Sequence, residues 1–344
     1  MPSGYRVVFP APREVVLEPQ ETPDPGPGQV LLRTERSLIS TGTELTALTG
    51  DFPPGSRWAD YIRYPVGVGY SNVATVARLG QGVERVKEGD HVASLAAHAT
   101  YAVLPADRLW PVPEGVDAET ATFATLAEIV MGGLRRSRLA FGESVAIVGA
   151  GLLGQLAAHF CRAAGAWPVV ALDPAEGRLA TARSMGATHG LALASEAARP
   201  EIERLTRGRM ADVVFEITGN PLAIPGAVKL ARRLGRVVLL GSPRGPVTID
   251  LHDEAHSLSL EIIGAHNSAH PPTETPNTPW SIARHVELFL EWQGAGVVDV
   301  RPLITHRYPW TRSEEAYRML LEDRTRALGV VLDWTTENTR EGGI

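Results

Sequence analysis

The apolar residues change their pattern near Asp117. Before it they come in short runs rich in branched side chains: Tyr5–Phe9, Glu14–Glu18, Val30–Ser37, Ser71–Leu79 and His91–Leu95. Proline and glycine clusters such as Pro23–Gly28 separate these runs, and Glu88-Gly89-Asp90 makes a tight turn before the last of them. That pattern predicts β-strands. After it, Ala118–Arg138 is alanine-rich and reads as a helix. An alternation follows. Apolar strands are predicted at Ser144–Val148, Val169–Leu172, Asp212–Glu216, Val237–Leu240 and Leu260–Ile263, with helices over Leu152–Ala164, Glu176–Met185 and Ile224–Arg233. Nearly continuous apolar strands alternating with helices imply a parallel sheet covered on both faces. A proline-rich loop carries Pro271, Pro272, Pro276 and Pro279. Helices over Ser281–Gln293 and Arg312–Glu322, a strand Leu328–Trp334 and a frayed end Glu337–Ile344 complete the reading.

One turn in the alternating region carries chemistry. Gly149-Ala150-Gly151-Leu152-Leu153-Gly154 follows an apolar strand and opens a helix, and the next strand ends at Asp173. Gly149 makes the tight turn. Gly151 lets the backbone approach a pyrophosphate, and Gly154 lets helix and strand pack closely. The helix N-terminus, at Leu152 and Leu153, offers unpaired N–H groups to the anion. A carboxylate at Asp173 suits two ribose hydroxyls and repels a 2′-phosphate, while Arg178 is placed to lie against the adenine. The expected cofactor is therefore NAD. A chance glycine turn is the alternative, and the full strand–turn–helix–strand–acid context argues against it.

Composition narrows the remaining classes. The chain has 344 residues, 44% of them hydrophobic and 21% charged, which suits two globular domains. A formal net charge of −6 argues against a nucleic-acid partner. The single cysteine, Cys161, rules out an internal disulfide and a four-cysteine zinc site. No long apolar segment or signal-like h-region is present, so a cytoplasmic protein without a membrane partner is expected.

Several motifs resemble the medium-chain dehydrogenase/reductase superfamily over nearly the whole chain. They are Gly89-Asp90-His91-Val92, Asp212–Glu216 with Thr218-Gly219, Gly235–Val237 through Gly241-Ser242, and Pro302–His306 followed by Ala316-Tyr317. The resemblance implies an α/β protein in two parts. One is a GroES-like, β-rich catalytic domain formed by residues 1–118 and 268–344. The other is a Rossmann doubly wound coenzyme domain over residues 119–267. It also implies an active-site cleft between them, a nicotinamide near Thr218, Gly241, Ser242 and His266, and a homodimer formed through the coenzyme-domain sheet.

The chain departs from the zinc-type members of that superfamily. Only a short loop separates the Gly-Asp-x-Val turn from Tyr101-Ala102-Val103, so the structural zinc lobe is missing. The catalytic ligand positions match Thr41, Tyr70 and a site near Thr125, all neutral hydroxyls and poor zinc ligands. No metal is expected. A zinc-less subgroup resembling the bacteriochlorophyllide dehydrogenases fits the stretches LISTGTEL, PVGVGYSN and FATLAE.

Without zinc, side chains must handle the substrate oxygen and its proton. Tyr70 either bonds a carbonyl or fills the space of the metal. Thr43 is a relay hydroxyl or a turn cap. Glu44 is a base or a structural acid pairing with an arginine. His98 is a catalytic histidine or a surface or packing one. Glu128 reads as a solvated helix residue rather than a substrate contact, and His270 as loop surface. Trp58 and Trp280 either wall the substrate pocket or serve packing. The function expected is NAD-dependent, zinc-independent interconversion of a secondary alcohol (a polyol, sugar, cyclitol or nucleoside-like small molecule) and its ketone. A zinc-less enoyl or quinone reductase and a non-enzymatic NAD(H)-binding protein are the alternatives.

Overall fold

A computed structural model describes residues 1–271 and 274–336. The chain divides into two compact units, Met1–Leu126 with Ala283–Ile344, and Ala127–Ile282.

The first unit is built from antiparallel strands. Gln29–Leu38 is its spine, pairing Asn72–Leu79, Tyr101–Pro105 and the late strand Gly329–Asp333, which in turn lies parallel to Ile304–Pro309. His91–Ser94 and Trp110–Pro111 extend this seven-stranded sheet. A smaller sheet orders Val16–Glu21, Ser3–Phe9 and Val66–Gly67. One core joins the two ends of the chain. Phe9 meets the ring of Tyr317 edge-on at 5.1 Å, and Trp310 stacks on Trp334 at 5.4 Å. Aromatic pairs of this kind add to the burial of their large surfaces.

The second unit holds a six-stranded parallel sheet. Its spatial order is His189–Leu191, Val169–Leu172, Val145–Val148, Ala211–Glu216, Ala231–Leu239 and Glu261–Gly264. Chain order reverses between Val145–Val148 and Ala211–Glu216, the doubly wound arrangement whose switch point forms a ligand crevice at the strand C-termini. Val145–Val148 and Val169–Leu172 are buried along their whole length, which is why they read as unbroken apolar runs. Among the described residues, no helix is long and apolar enough to cross a membrane.

Local differences from the sequence pattern have identifiable causes. The helix expected over Ala118–Arg138 is two helices, Ala118–Ala121 and Ala124–Ser137. Between them the hydroxyls of Thr120 and Thr122 bond the carbonyls of Asp117 and Glu119, competing with helical bonds. The helix expected to run to Arg233 stops at Val228, and Ala231–Leu239 is strand. There Arg232 Nε donates to Asp212, tying the start of this strand to its parallel neighbour Ala211–Glu216. The strand His189–Leu191 is too short to show a period, and Pro200 sits inside the helix Ser195–Leu205. The stretch Thr43–Thr49 is helical although rich in threonine; Thr46 and Thr49 bond back to the carbonyls of Gly42 and Leu45.

The unit boundaries fall at Leu126 and Ile282 rather than at residues 118 and 267. Thr125 Oγ1 donates to the Tyr70 carbonyl at 3.0 Å, holding that stretch in the first unit. Residues 268–282 stay with the second unit, because His270 bonds Glu128 and Trp280 lies under the Arg135 guanidinium. Pro272 of the proline-rich loop and the expected frayed end Glu337–Ile344 lie outside the described residues.

Candidate functional site

One candidate site is the glycine turn at the switch point of the second unit. Gly149 has φ +101°, a conformation that L side chains avoid. A Cβ on Gly154 would lie 2.0 Å from the Gly149 carbonyl oxygen, so helix and turn touch backbone to backbone. A Cβ on Gly151 would meet nothing within 4 Å. Open space therefore stands over the N-terminus of helix Leu152–Ala163, whose N-cap Gly151 supplies no side-chain cap. The unpaired N–H groups of the first turn and the room above Gly151 fit an anion such as a pyrophosphate.

Asp173 is buried beside this turn. Its Oδ2 accepts the Ala150 N–H at 2.9 Å and its Oδ1 accepts the Ala175 N–H at 2.9 Å. The carboxylate thus clips the glycine turn to the end of the second strand. Arg178 Nη1 lies 3.8 Å from Asp173 Oδ2, so the guanidinium leans on the acid. Gln155, which the sequence pattern did not single out, completes the clip: its Nε2 donates to the carbonyls of Ala150 and Arg178 at 2.8 and 2.9 Å.

Thr218, Gly241, Ser242 and His266 follow the C-terminal ends of neighbouring strands. A Cβ on Gly241 would come within 2.6 Å of the Gly219 nitrogen. His266 is exposed, with its Nδ1 2.7 Å from Ser268 Oγ. Glu216 anchors this turn from below. It is fully buried; its Oε1 accepts both the N–H and the O–H of Thr218, and its Oε2 has no hydrogen-bond partner among the described residues. Burial pushes the Glu216 carboxyl up, and the Thr218 and Gly219 donors only partly oppose it.

A folded-state pKa above the unfolded one means the native state holds this proton more tightly. Its contribution to stability is complete below the ordinary carboxylate range and is lost as pH rises through the raised value. Glu216→Gln cannot ionise. The urea midpoint of that variant, measured against wild type over pH 4–9, should drift in the variant's favour as pH rises; parallel curves would refute the assignment.

Glu128 and His270 overturn their surface readings. Glu128 is buried in helix Ala124–Ser137, and His270 Nδ1 bonds its Oε1. With its amide oriented to satisfy its neighbours, Asn267 donates to both Glu128 oxygens at 3.0 and 2.9 Å. Burial raises the Glu128 carboxyl, and the His270 hydrogen bond opposes that rise. A visible signal pointed this way: Glu128 is a lone acid in the apolar run ATLAEIVMGG, which offers no solvated face.

The first unit holds a second constellation. Tyr70 Oη contacts Ser40 Oγ and lies 3.1 Å from Thr43 Oγ1. Three hydroxyls carry three protons, and these two contacts consume two, leaving one O–H for a further acceptor. Burial pushes the Tyr70 phenol up to about 12, the Ser40 and Thr43 hydrogen bonds pull it back, and the Glu44 charge adds to the rise. At neutral pH it is a donor, not a phenolate base. Ser40 is a residue that sequence reasoning missed.

Glu44 and His98 sit behind this cluster and are fully buried. Glu44 Oε1 accepts the Ser40 N–H at 2.7 Å, and Oε2 accepts from Tyr317 Oη and lies 3.0 Å from His98 Nε2. His98 Nδ1 is 2.7 Å from Ser37 Oγ, and that oxygen accepts from Trp334 Nε1 at 2.8 Å. No arginine pairs with Glu44 in this network; its partners are a histidine, a phenol and a backbone amide. Trp58 stacks on Phe52 at 6.3 Å, with Tyr61 against its edge.

A family model described as zinc-binding dehydrogenase matches residues 153–278. An L-threonine 3-dehydrogenase of Pyrococcus horikoshii is 29% identical over 341 residues, covering 89% of this chain and 91% of its own. The fold superposes on zinc-dependent alcohol dehydrogenase 2 from Streptococcus pneumonia with a TM-score of 0.82 at 21% identity, covering 98% of this chain and 100% of that one. It also superposes on an alcohol dehydrogenase from Escherichia coli CFT073 complexed with NADH, with a TM-score of 0.79 at 19% identity, over 96% of this chain and 99% of that one. These likenesses support the resemblance to the medium-chain dehydrogenase/reductase superfamily over nearly the whole chain.

Zinc-type members of the superfamily raise the question of a metal at Thr41, Tyr70 and Thr125. The groups here do not fit one. The Tyr70 phenol is bonded to Ser40 and Thr43, and the Thr125 hydroxyl is spent on the Tyr70 carbonyl. Zinc sites use thiolate, imidazole and carboxylate donors.

Proposed function

We propose that this protein is an NAD(H)-dependent oxidoreductase that interconverts a secondary alcohol and its ketone without zinc. The observation that carries the reading is the Ser40–Thr43–Tyr70 hydroxyl cluster, with one proton to spare, in which Tyr70 stands at a position that the resemblance gives to a zinc ligand. Bound NAD(H) supplies the hydride acceptor or donor. Gly149, Gly151, Leu152, Leu153, Gly154 and Asp173 would hold its pyrophosphate and adenosine, with Arg178 at the adenine, and Thr218, Gly241, Ser242 and His266 its nicotinamide end. The carboxylate of Asp173 favours NAD over NADP by repelling a 2′-phosphate.

In this reading the remaining O–H of the cluster stabilises the substrate oxygen as charge builds on it, and Tyr70 or Thr43 passes the proton. Glu44 and His98 act through their neighbours: Glu44 fixes the Ser40 backbone, and His98 fixes Glu44. The substrate is a small polyhydroxylated molecule, matched by hydroxyl rather than charged partners. A cytoplasmic homodimer completes the proposal, supported by Glu261–Gly264 lying at the open edge of the parallel sheet.

Tyr70→Phe tests it. Removing one donor from such a cluster should lower kcat by roughly 10²–10³-fold with little change in NADH affinity. Chelator-treated protein should retain its wild-type rate on a polyol panel and contain no zinc by elemental analysis. Activity that requires added zinc would defeat the metal-free reading. Tight preference for NADPH would favour the enoyl or quinone reductase, and NADH binding without turnover on any alcohol or carbonyl the non-enzymatic one.

A further inference from the structure

Helix Ala124–Ser137 contains two successive glycines, Gly132 and Gly133, well inside its length. Mid-helix glycine is less stable than alanine because it frees the unfolded backbone. Both positions are nevertheless filled by something else. A Cβ on Gly132 would lie 1.6 Å from His270 Nε2, and one on Gly133 would lie 2.7 Å from Leu240 Cδ1. The two intruding side chains come from two different strand-end loops. Leu240 immediately precedes Gly241-Ser242, and His270 closes the turn Asn267–Ala269 that begins after His266.

The same helix grips these loops at further points. Glu128, one turn before Gly132, takes the His270 ring and the Asn267 amide. Arg136, one turn after it, donates to the Gly264 carbonyl at 2.7 Å. Residues of the segment divide cleanly: His266 and Ser268 are exposed and bonded to one another, while Asn267 and His270 turn inward to Glu128.

We propose that the Gly132-Gly133 notch, with Glu128 beside it, is a positioning device that seats the loops at Gly241–Ser242 and His266–His270 for the nicotinamide end of the dinucleotide. Glu128, Gly132 and His270 are positioning residues: they hold the loops and touch no substrate. The inference rests on the reading that this unit binds NAD(H). It adds that the two ends of the cofactor are held independently, the adenosine end by the Gly149–Asp173 clip and the nicotinamide end by the notch.

The difference between two ligands tests this. ADP-ribose carries the adenosine, pyrophosphate and second ribose but no nicotinamide. In the full-length protein, Gly132→Ala should weaken NADH binding, read by nucleotide fluorescence, by about tenfold. ADP-ribose binding, read by calorimetry, should stay within about twofold. The thermal midpoint should move little, because alanine's gain in the helix offsets the displacement of the His270 ring from Glu128. Glu128→Ala should show the same asymmetry, and the isosteric Glu128→Gln should restore part of it.

Adding His270→Ala guards against misfolding of the single variant. Once the ring is gone the methyl has nothing to strike, so Gly132→Ala should cost no further NADH affinity on that background. The proposal is overturned if NADH affinity is unchanged in Gly132→Ala, if NADH and ADP-ribose weaken together, or if the two substitutions add. Wild-type protein that binds neither ligand would instead remove the cofactor reading on which this rests.

Discussion

Glu44→Ala is expected to lower the free energy of unfolding by about 3–5 kcal/mol in urea titration, the range for deleting one member of a buried polar network. Three donors converge on this carboxylate: the Ser40 N–H at 2.7 Å, His98 Nε2 at 3.0 Å, and Tyr317 Oη. All lie in the interior, out of reach of replacement water, so alanine leaves each of them unsatisfied. The loss propagates, because His98 is itself fixed through Ser37 to Trp334, and Trp334 stacks on Trp310 in the core.

Domains hold only about 5–15 kcal/mol in reserve, so the variant loses a large share of its stability. Removing one donor instead of the acceptor costs far less. Tyr317→Phe should lose about 0.5–1.5 kcal/mol, since Glu44 keeps its other two partners. The ordering Glu44→Ala well beyond Tyr317→Phe distinguishes a hub from an incidental contact. A loss below about 1 kcal/mol in Glu44→Ala would mean that the network contributes nothing net.

Glu44 also marks where sequence reasoning stopped. The residue stood out because it follows Thr43 in a stretch that resembles the zinc-binding segment of related dehydrogenases. Its partner Tyr317 lies 273 positions away and His98 lies 54 away. No periodicity links them; only the folding of both chain ends into one sheet does. Ser40 shows the same limit. Its contact with Tyr70 spans 30 positions, and nothing about a serine in LISTGTEL sets it apart.

The parallel-sheet unit was far more legible. Strands buried on both faces must be apolar throughout, and the turn between the first strand and its helix must be glycine wherever backbones touch. Those are local demands, so they are written in adjacent residues. Asp173 lies between the two cases. Its position at a strand end was readable, but its bonds to Ala150 and Ala175 depend on how the glycine turn curls back toward it. Glu128 was readable in principle, as a lone acid in an apolar helix, yet an alanine-rich stretch after a turn looks the same whether it lies at the surface or inside.

The glycine turn yields the sharpest contrast between stability and binding. Gly154→Ala puts a methyl 2.0 Å from the Gly149 carbonyl oxygen, a clash between backbone groups with no flexible side chain to yield. Helix Leu152–Ala163 must move off the strand that precedes it. The expected cost is about 1–3 kcal/mol of stability, as for overpacked cores, together with loss of measurable NADH binding. Gly151→Ala behaves differently. Its backbone, at φ −72° and ψ −169°, suits any residue, and its methyl meets no protein atom within 4 Å. The variant should therefore unfold at the wild-type midpoint. The methyl would nevertheless stand in the open space over the helix N-terminus, where the first-turn N–H groups face outward. An anion held there would be pushed away by more than the reach of a hydrogen bond, and NADH affinity should fall by at least roughly 100-fold. Thermal unfolding and fluorescence titration of the pair decide the matter. If Gly151→Ala keeps both its midpoint and its NADH affinity, the space above the turn does not hold the pyrophosphate. If it loses both together, the glycine serves the fold rather than the ligand.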